Sequence, residues 1–130
     1  MEQYLTDPWR ASVLASAVVE RAAQELREIL SMLATTLDPF PGFEGLQTLQ
    51  AVEIDLGNFT NPDLGCIVVG PDGLLYELVL RAIPGPIDVG GIDQLDELTE
   101  LDLEPPMYVL YAHHAILQLG KIHQQRRSSP

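Results

Sequence analysis

The amino-acid sequence predicts an α+β fold: a three- or four-stranded antiparallel β-meander, flanked by a long N-terminal and a long C-terminal helix that pack on one of its faces. Residues 6–37 repeat apolar side chains at spacings of three and four, the period of an amphipathic helix. Residues 48–81 alternate with period two, the period of a strand. Residues 105–125 open with two prolines and carry a wide apolar surface. The chain of 130 residues has the size of one domain, so we expect a single domain over residues 1–130.

The first predicted helix spans residues 6–37. Thr6 or Asp7 can cap its N-terminus, and Pro8 suits the first turn, where a missing N–H has no consequence. One apolar stripe follows, formed by Leu14, Val18, Ala22, Leu26, Ile29, Leu33 and Leu37. At about 1.5 Å per residue this helix would be about 40 Å long, which is more than a small sheet covers. We therefore expect its ends to overhang the domain.

The central segment predicts strands separated by turns. Residues 38–45, DPFPGFEG, contain two prolines and two glycines, which exclude regular structure. Residues 48–57 alternate as a half-buried strand. Residues 66–69 and 74–81 form a hairpin around Gly70-Pro71-Asp72-Gly73, a type I turn closed by a left-handed glycine. Both faces of this hairpin carry apolar residues, and we expect the helices to cover one face. The other face is mixed, and either the rest of this chain or another protein would cover its apolar part.

Residues 92–103 combine aliphatic and acidic side chains, with Ile92, Leu95, Leu98 and Leu101 at a spacing of three. Two interpretations fit this pattern, a short helix capped by Asp93 or an irregular acidic and apolar segment. The helix predicted over 105–125 follows, and its wide apolar surface indicates deeper burial than that of the first helix. Residues 126–130 are expected to form a frayed tail.

Charge is the strongest compositional feature. The chain has 19 acidic residues against 7 lysines and arginines, which gives a net charge of −12. Between Arg27 and Lys121 the only cation is Arg81, whereas the segment from Glu28 to Glu104 supplies 15 carboxylates. A field of this sign repels phosphates and anionic lipid headgroups, so we expect neither nucleic acid nor membrane as a partner. It suits a basic segment of another protein.

The cysteine content and the termini predict a cytoplasmic protein. The single Cys66 has no disulfide partner within the chain, which is typical of a reducing compartment. The N-terminal sequence MEQYLTDPWR lacks the basic and apolar regions of a signal peptide. No apolar run approaches the roughly 20 residues that a membrane span needs.

Residue patterns for catalysis, metal binding and cofactor binding are missing from the sequence. His113 and His114 are adjacent, so on a helix they point about 100° apart and do not converge on one metal ion. Cys66 lies in an apolar strand without a cation to lower its pKa. The chain has neither a serine in a nucleophile elbow nor a glycine-rich phosphate loop. We therefore expect no enzyme, no metal and no cofactor.

What remains is a surface. Residues 92–104 beside the C-terminal helix would form a groove with an acidic rim, suited to a basic or amphipathic terminal segment of a partner. The candidate partner-binding residues are Ile92, Asp93, Leu95, Asp96, Glu97, Leu98, Glu100, Leu101, Tyr108 and Tyr111. The alternative interpretation is that the aliphatic side chains plug the sheet while the carboxylates face water.

Two stretches, NPDLGCIVVGPDGLLYELVLRAIPG at 61–85 and VGGIDQLDELTELDLEPPMYVLYAHHAI at 89–116, resemble a family of small acidic cyanobacterial proteins. This is the CcmS family of chaperone-like factors in carboxysome assembly. The resemblance covers about residues 44–117 and includes no catalytic signature. It implies a non-enzymatic adaptor, associated with the carboxysome, that binds a terminal extension of a shell protein. The resemblance transfers no binding residue one by one.

Two function classes therefore stand beside each other. The first is an assembly factor or adaptor that holds a short segment of a partner protein. The second is a small-molecule sensor or enzyme with a pocket between the sheet and the C-terminal helix, using Tyr108, Tyr111, His113 or His114. A homodimer that pairs edge strands is compatible with either class.

Overall fold

Within residues 7–43, 46–57, 66–84 and 92–128, which a computed structural model describes (46–48, 80–84 and 92–97 in their backbone only), the chain forms two helices and six strands. Their order is α1 (Pro8–Thr36), β1 (Gly42–Phe43), β2 (Leu46–Gln50), β3 (Val52–Glu53), β4 (Cys66–Val69), β5 (Leu75–Pro84), β6 (Ile92–Glu100) and α2 (Pro105–Ser128). The predicted α+β fold, in which an antiparallel sheet lies between two long helices in chain order, is confirmed.

The main sheet has four antiparallel strands in the order β3-β4-β5-β6. The predicted hairpin joins β4 to β5: Gly73 has a φ of +83°, and its N–H donates to the Gly70 carbonyl at 2.9 Å. Within β5, only the first residues, from Leu75 to Leu78, pair with β4. Strand β6 pairs with β5 much further, from Tyr76 opposite Glu100 to Pro84 opposite Ile92. Most of β5 and β6 therefore forms a two-stranded arm.

The acidic segment 92–103 is a strand over Ile92–Glu100, and both predictions for it, a short helix or an irregular segment, are wrong. A helix would place Asp93 beside Glu97 and Asp96 beside Glu100 on successive turns, and like charges at that spacing destabilise a helix. Pairing along β5 satisfies the backbone of the segment instead. The spacing of three among its aliphatic residues was a misleading signal.

The main core lies between the sheet and the two helices. Leu30 and Ala34 of α1 pack with Tyr111 and Ala115 of α2 against the sheet, where Val69 is one of the buried residues. Asp7, one of the two candidate caps, is the N-cap of α1, and its carboxylate accepts from the backbone N–H groups of the next turn. Helix α2 has more buried residues than α1, as its wide apolar surface predicted.

The predicted stripe of α1 is rotated in the structure. Ala23, Leu30, Ala34 and Leu37 are the buried positions, and Leu26 and Leu33 pack beside them, whereas Leu14, Val18 and Ile29 are exposed. The prediction extended the stripe to the start of the helix, although the sheet and α2 reach only its second half. No residue of α1 before Ala23 is buried.

At β4 and the first part of β5, the second face of the sheet is covered by the protein's own chain. Ala51, Val68 and Leu78 form a small second core, and Phe43 and Leu49 of the β1–β2 ribbon pack against it. The prediction that 38–45 contains no regular structure is therefore wrong for Gly42–Phe43, and the single strand predicted over 48–57 is divided between two sheets. Helix α2 also continues to Ser128, so Arg126 and Arg127 are helical rather than part of a tail.

Candidate functional site

Strand β6 has one backbone edge that pairs with no strand in the described part of the chain. The N–H of Leu101, just after the strand, donates to the Leu75 carbonyl at 3.0 Å. Because backbone groups alternate along an antiparallel ladder, the amide of Thr99 also points toward β5, whereas those of Leu98 and Glu100 point away from it. An extended peptide can hydrogen-bond to these outward groups as a further strand.

The same edge has a strongly acidic sequence. Residues 92–104 contain six carboxylates and no lysine or arginine, namely Asp93, Asp96, Glu97, Glu100, Asp102 and Glu104. Glu100, Asp102 and Glu104 are exposed. In the register of the arm, Arg81 of β5 lies opposite Leu95 and is the one cation of these two strands. The charge at this edge favours a segment that carries lysine or arginine.

A cleft of about 470 Å³ lies where β6 ends, between the sheet and the first turns of α2. Its lining is Arg27, Leu74, Leu75, Glu100, Leu101, Asp102, Leu103 and Tyr108. The aliphatic side chains form an apolar floor, and the carboxylates of Glu100 and Asp102 form part of the rim. The cleft is therefore continuous with the acidic edge of β6.

The cleft holds one aromatic contact of note. The guanidinium of Arg27 lies 4.6 Å from the centroid of the Tyr108 ring, within the range of a cation–π interaction. Burial raises the pKa of the Tyr108 hydroxyl, and the neighbouring Arg27 opposes this effect only in part. Tyr108 is therefore a neutral phenol at neutral pH, and the Arg27 guanidinium lies over its ring.

The structure brings together some of the predicted partner-binding residues. Glu100, Leu101 and Tyr108 line the cleft, and Leu98 is 39% exposed on β6. Five others lie on β6, where their side chains are outside the described residues: Ile92, Asp93, Leu95, Asp96 and Glu97. The prediction that Tyr111 binds a partner is wrong, because Tyr111 is only 2% exposed and packs in the main core. A partner does not reach it.

Sequence reasoning missed Arg27 and Leu74, which belong to the cleft. Arg27 lies on α1 and Leu74 follows the turn between β4 and β5, so only the tertiary fold brings them to the end of β6. One signal was present in the sequence: Arg27 is the last cation before the long acidic stretch. A cation at that boundary in the sequence indicates a position where the charge changes from mixed to negative.

The titratable side chains of the described residues do not assemble into a reactive site. No group of three histidines, cysteines or carboxylates among them is placed to hold a metal ion. The rings of His113 and His114 stand edge to face with their centroids 5.7 Å apart. Burial, with a smaller contribution from Glu53, raises the pKa of the Cys66 thiol to about 11. The thiol therefore stays protonated at neutral pH and is a poor nucleophile.

A second cleft, of about 490 Å³, lies between the β1–β2 ribbon and the end of α2. Its lining is Pro41, Gly42, Phe43, Ala51, Val52, Glu53 and Ile122. None of the residues predicted for a small-molecule pocket is in this lining, and only Tyr108 of that set reaches the cleft at the end of β6. Glu53 is the charged residue of the lining, so the cleft offers little to orient a polar ligand.

Comparison with known proteins leaves the site to be interpreted from its own geometry. No protein-family model, no curated protein and no solved structure matches the chain. In the part of the chain that the structure describes, neither helix has the length and hydropathy to cross a lipid bilayer.

Proposed function

We propose that this protein is a non-enzymatic adaptor or assembly factor that holds a basic, extended segment of another protein as an added strand on β6. The observation that carries the proposal is the outer edge of β6, with outward backbone groups in a segment of six carboxylates. Main-chain hydrogen bonds supply affinity in strand addition, and side chains on alternate positions supply specificity. The carboxylates of β6 favour lysine and arginine in the added strand.

The same charges disfavour pairing of this edge with its own copy. An antiparallel β6–β6 pair would bring Asp93, Asp96, Glu97 and Glu100 of one copy close to the same residues of the other. Like charges across strands are unfavourable, and charged residues on edge strands are a common protection against such pairing. Pairing of β6 with β6 of a second copy is thus disfavoured, whereas pairing with a basic segment is favoured. The proposed partner is therefore a different protein.

The cleft at the end of β6 extends the proposed site. A strand added to β6 and continued past Glu100 enters the cleft over Leu74 and Leu101. An apolar side chain fits this floor, while a lysine or arginine reaches the carboxylate of Asp102. The segment that fits both parts is therefore basic along the strand and apolar at one end, which is an amphipathic terminal sequence.

The resemblance to the carboxysome assembly factors suggests which partner to try first. We propose a terminal extension of a carboxysome shell protein as this candidate, and the protein then acts as a chaperone-like factor for it in the cytoplasm. Binding of synthetic terminal peptides from shell proteins tests the partner separately from the site. If only those peptides fail to bind, the shell protein is excluded as the partner, and the proposal that β6 is the binding edge still stands.

The site is tested by selecting peptides from a displayed random library on the immobilised protein. The proposal expects enriched sequences that are rich in lysine or arginine and can adopt an extended conformation. The neutral variant Asp93→Asn/Asp96→Asn/Glu97→Gln/Glu100→Gln should bind them about thirtyfold more weakly, at about 0.5 kcal/mol per exposed ion pair. The matched control, Glu20→Gln/Glu25→Gln/Glu28→Gln/Asp38→Asn, removes as many charges elsewhere and should keep binding. Equal loss in both variants would contradict the site.

The small-molecule alternative predicts a different outcome. A metabolite or cofactor bound in either cleft raises the melting temperature of the protein in a thermal-shift screen, because it binds the native state. The adaptor proposal expects stabilisation by the selected peptides and none by metabolites or divalent metals. A metabolite that stabilises the protein, with no peptide enriched, would favour the alternative.

A further inference from the structure

The first half of α1 extends beyond the body of the domain. Arg27 of α1 lies over Tyr108 near the start of α2, and Thr36 lies 3.5 Å from His123 near its end, so the two helices run in the same direction. Helix α2 therefore begins beside Arg27, and among the described residues no other helix lies beside the preceding turns of α1. We call Pro8–Val19 the overhang; at about 1.5 Å per residue it is about 18 Å long.

The overhang is apolar on almost every side. Trp9 is 73% exposed, Val18 is 60% exposed and Val13 is 52% exposed. The polar side chains between Pro8 and Val19 are Arg10, Ser12 and Ser16, and the hydroxyl of Ser12 donates back to the Pro8 carbonyl. A helix that is apolar all round is normally buried, and a continuous exposed apolar surface marks an interaction site.

The charge of the overhang points to its occupant. It contains no carboxylate, in a chain with a net charge of −12, so it is where two copies approach with the least repulsion. Each end also carries both signs of charge: Asp7 and Arg10, which pair with each other at 3.7 Å, at one end, and Glu20 with Arg21 just past the other. Two such helices laid antiparallel bring each Arg10 within about one turn of Glu20 on the other copy. The overhang is thus complementary to itself.

We propose that the overhang pairs with the overhang of a second copy, antiparallel, about a twofold axis at Val13. This register sets the large Trp9 of each copy against the small Ala17 of the other, and the two Val13 side chains meet on the axis. Trp9, Val13 and Ala17 follow one another at intervals of four, so they lie along one side of the helix. Two exposed shallow grooves already run along this side, and Trp9 and Val13 line both.

The geometry also keeps the acidic bodies of the two copies apart. Ala23, where burial begins, lies ten residues from the axis in each copy, so the bodies start about 30 Å apart. The Debye length at physiological salt is about 8 Å, so the net charges of the bodies are screened at this separation. Contact is restricted to about three helical turns of each copy, less than a standard stable interface. We therefore expect a weak dimer, with a Kd of about 10–100 µM.

Sedimentation and fluorescence test this dimer directly. Trp9 is the only tryptophan of the chain, so its emission reports the interface without labelling. As the concentration rises from low micromolar to near millimolar, the average mass should rise from 14.3 kDa toward twice that value. The emission of Trp9 should shift to shorter wavelength over the same range. A constant monomer mass over the whole range would overturn the proposal.

Two sets of variants locate the contact and its direction. Val13→Glu should abolish dimerisation, whereas Met32→Glu, an equally exposed apolar position on the second half of α1, should leave it unchanged. Arg10→Glu and Glu20→Arg should each weaken the dimer about tenfold, and the two together should restore it. A dimer that Val13→Glu leaves intact, or a double swap without rescue, would refute the antiparallel pairing.

The Trp9 emission also distinguishes a second copy from other possible occupants of the overhang. A shift of the Trp9 emission on addition of phosphatidylcholine vesicles to a protein that stays monomeric would assign the overhang to a membrane. A shift caused only by the peptides selected on β6 would assign it to the partner of that site. Either result would replace the second copy as the occupant.

Discussion

Replacing Gly73 tests how the turn between β4 and β5 is seated on α1. Gly73 has a φ of +83°, and a Cβ added there would lie 2.6 Å from the Cα of Ser31 and 3.1 Å from its backbone nitrogen. Real Cβ atoms do not approach a backbone atom so closely, so Gly73→Ala forces the turn away from the helix. The turn is followed by Leu74 and Leu75, which line the cleft, so the substitution also disturbs the proposed site.

The expected loss of stability follows from two contributions. A left-handed conformation is unfavourable for alanine by about 1–2 kcal/mol. Forcing an extra carbon into a packed contact destabilises by about 1–3 kcal/mol. The lower entropy of the unfolded alanine chain offsets about 0.4–1 kcal/mol of this. Gly73→Ala should therefore lower the free energy of unfolding by about 1–4.6 kcal/mol.

Two other glycines provide matched controls. Gly57 also has a positive φ, +61°, but an added Cβ meets nothing within 4 Å, so Gly57→Ala should lower the free energy of unfolding by only about 0.5–1 kcal/mol. Gly120 lies within α2 with open space around it, so Gly120→Ala should raise stability by about 0.5–1 kcal/mol. Urea denaturation followed by circular dichroism measures all three. A Gly73→Ala protein as stable as Gly57→Ala would refute the close seating of the turn on α1.

Three further predictions concern single side chains. The Cys66 thiol, with its pKa raised to about 11, should react slowly with iodoacetamide at pH 8, and Glu53→Gln should move the rate profile to lower pH; an ordinary free-thiol rate would contradict its burial. The hydrogen bond to Asp72 is the main cause that raises the pKa of Tyr76, to about 12, so both Cys66 and Tyr76 have pKa values above their usual ones. The stability that these two groups contribute is therefore complete below about pH 9 and is lost as pH rises toward 12. Urea titrations between pH 8 and 12 should show this decline, and Tyr76→Phe should reduce it. The Gln118 amide donates to the Glu53 carbonyl at 2.6 Å and accepts from the Asp55 N–H at 3.2 Å, so Gln118→Ala should destabilise by about 1–2 kcal/mol, and an unchanged urea midpoint would mean that these bonds contribute nothing.

Features that depend on local chemistry were predictable from the sequence. Asp7 and Pro8 determine where α1 begins, because a capping carboxylate and a proline suit the first turn of any helix. The turn ending at Gly73 was equally local, since a left-handed position after Pro-Asp requires glycine. These residues act through their immediate neighbours, and so the sequence alone indicates the result.

Features that depend on distant partners were not predictable in the same way. Residues 92–100 form a strand because β5 pairs with them, and nothing within the segment specifies that partner. The β1–β2 ribbon covers the second core because the chain folds back across the sheet. The cleft is completed by Arg27 from α1, more than 70 residues before Glu100 in the sequence. The acidic surface was visible early, but its form as a strand edge beside a cleft required the tertiary fold.

Amide hydrogen exchange along β6 is the most direct test of the central proposal, that a partner segment adds to the outer edge of this strand. The outward amides of Leu98 and Glu100 should exchange more slowly when a basic peptide selected on the protein is added, while the amide of Thr99, already directed toward β5, should change little. Leu98→Pro, which removes one outward N–H and leaves the inward ladder intact, should weaken peptide binding. Peptide binding that protects other segments and leaves Leu98 and Glu100 unchanged would contradict the account.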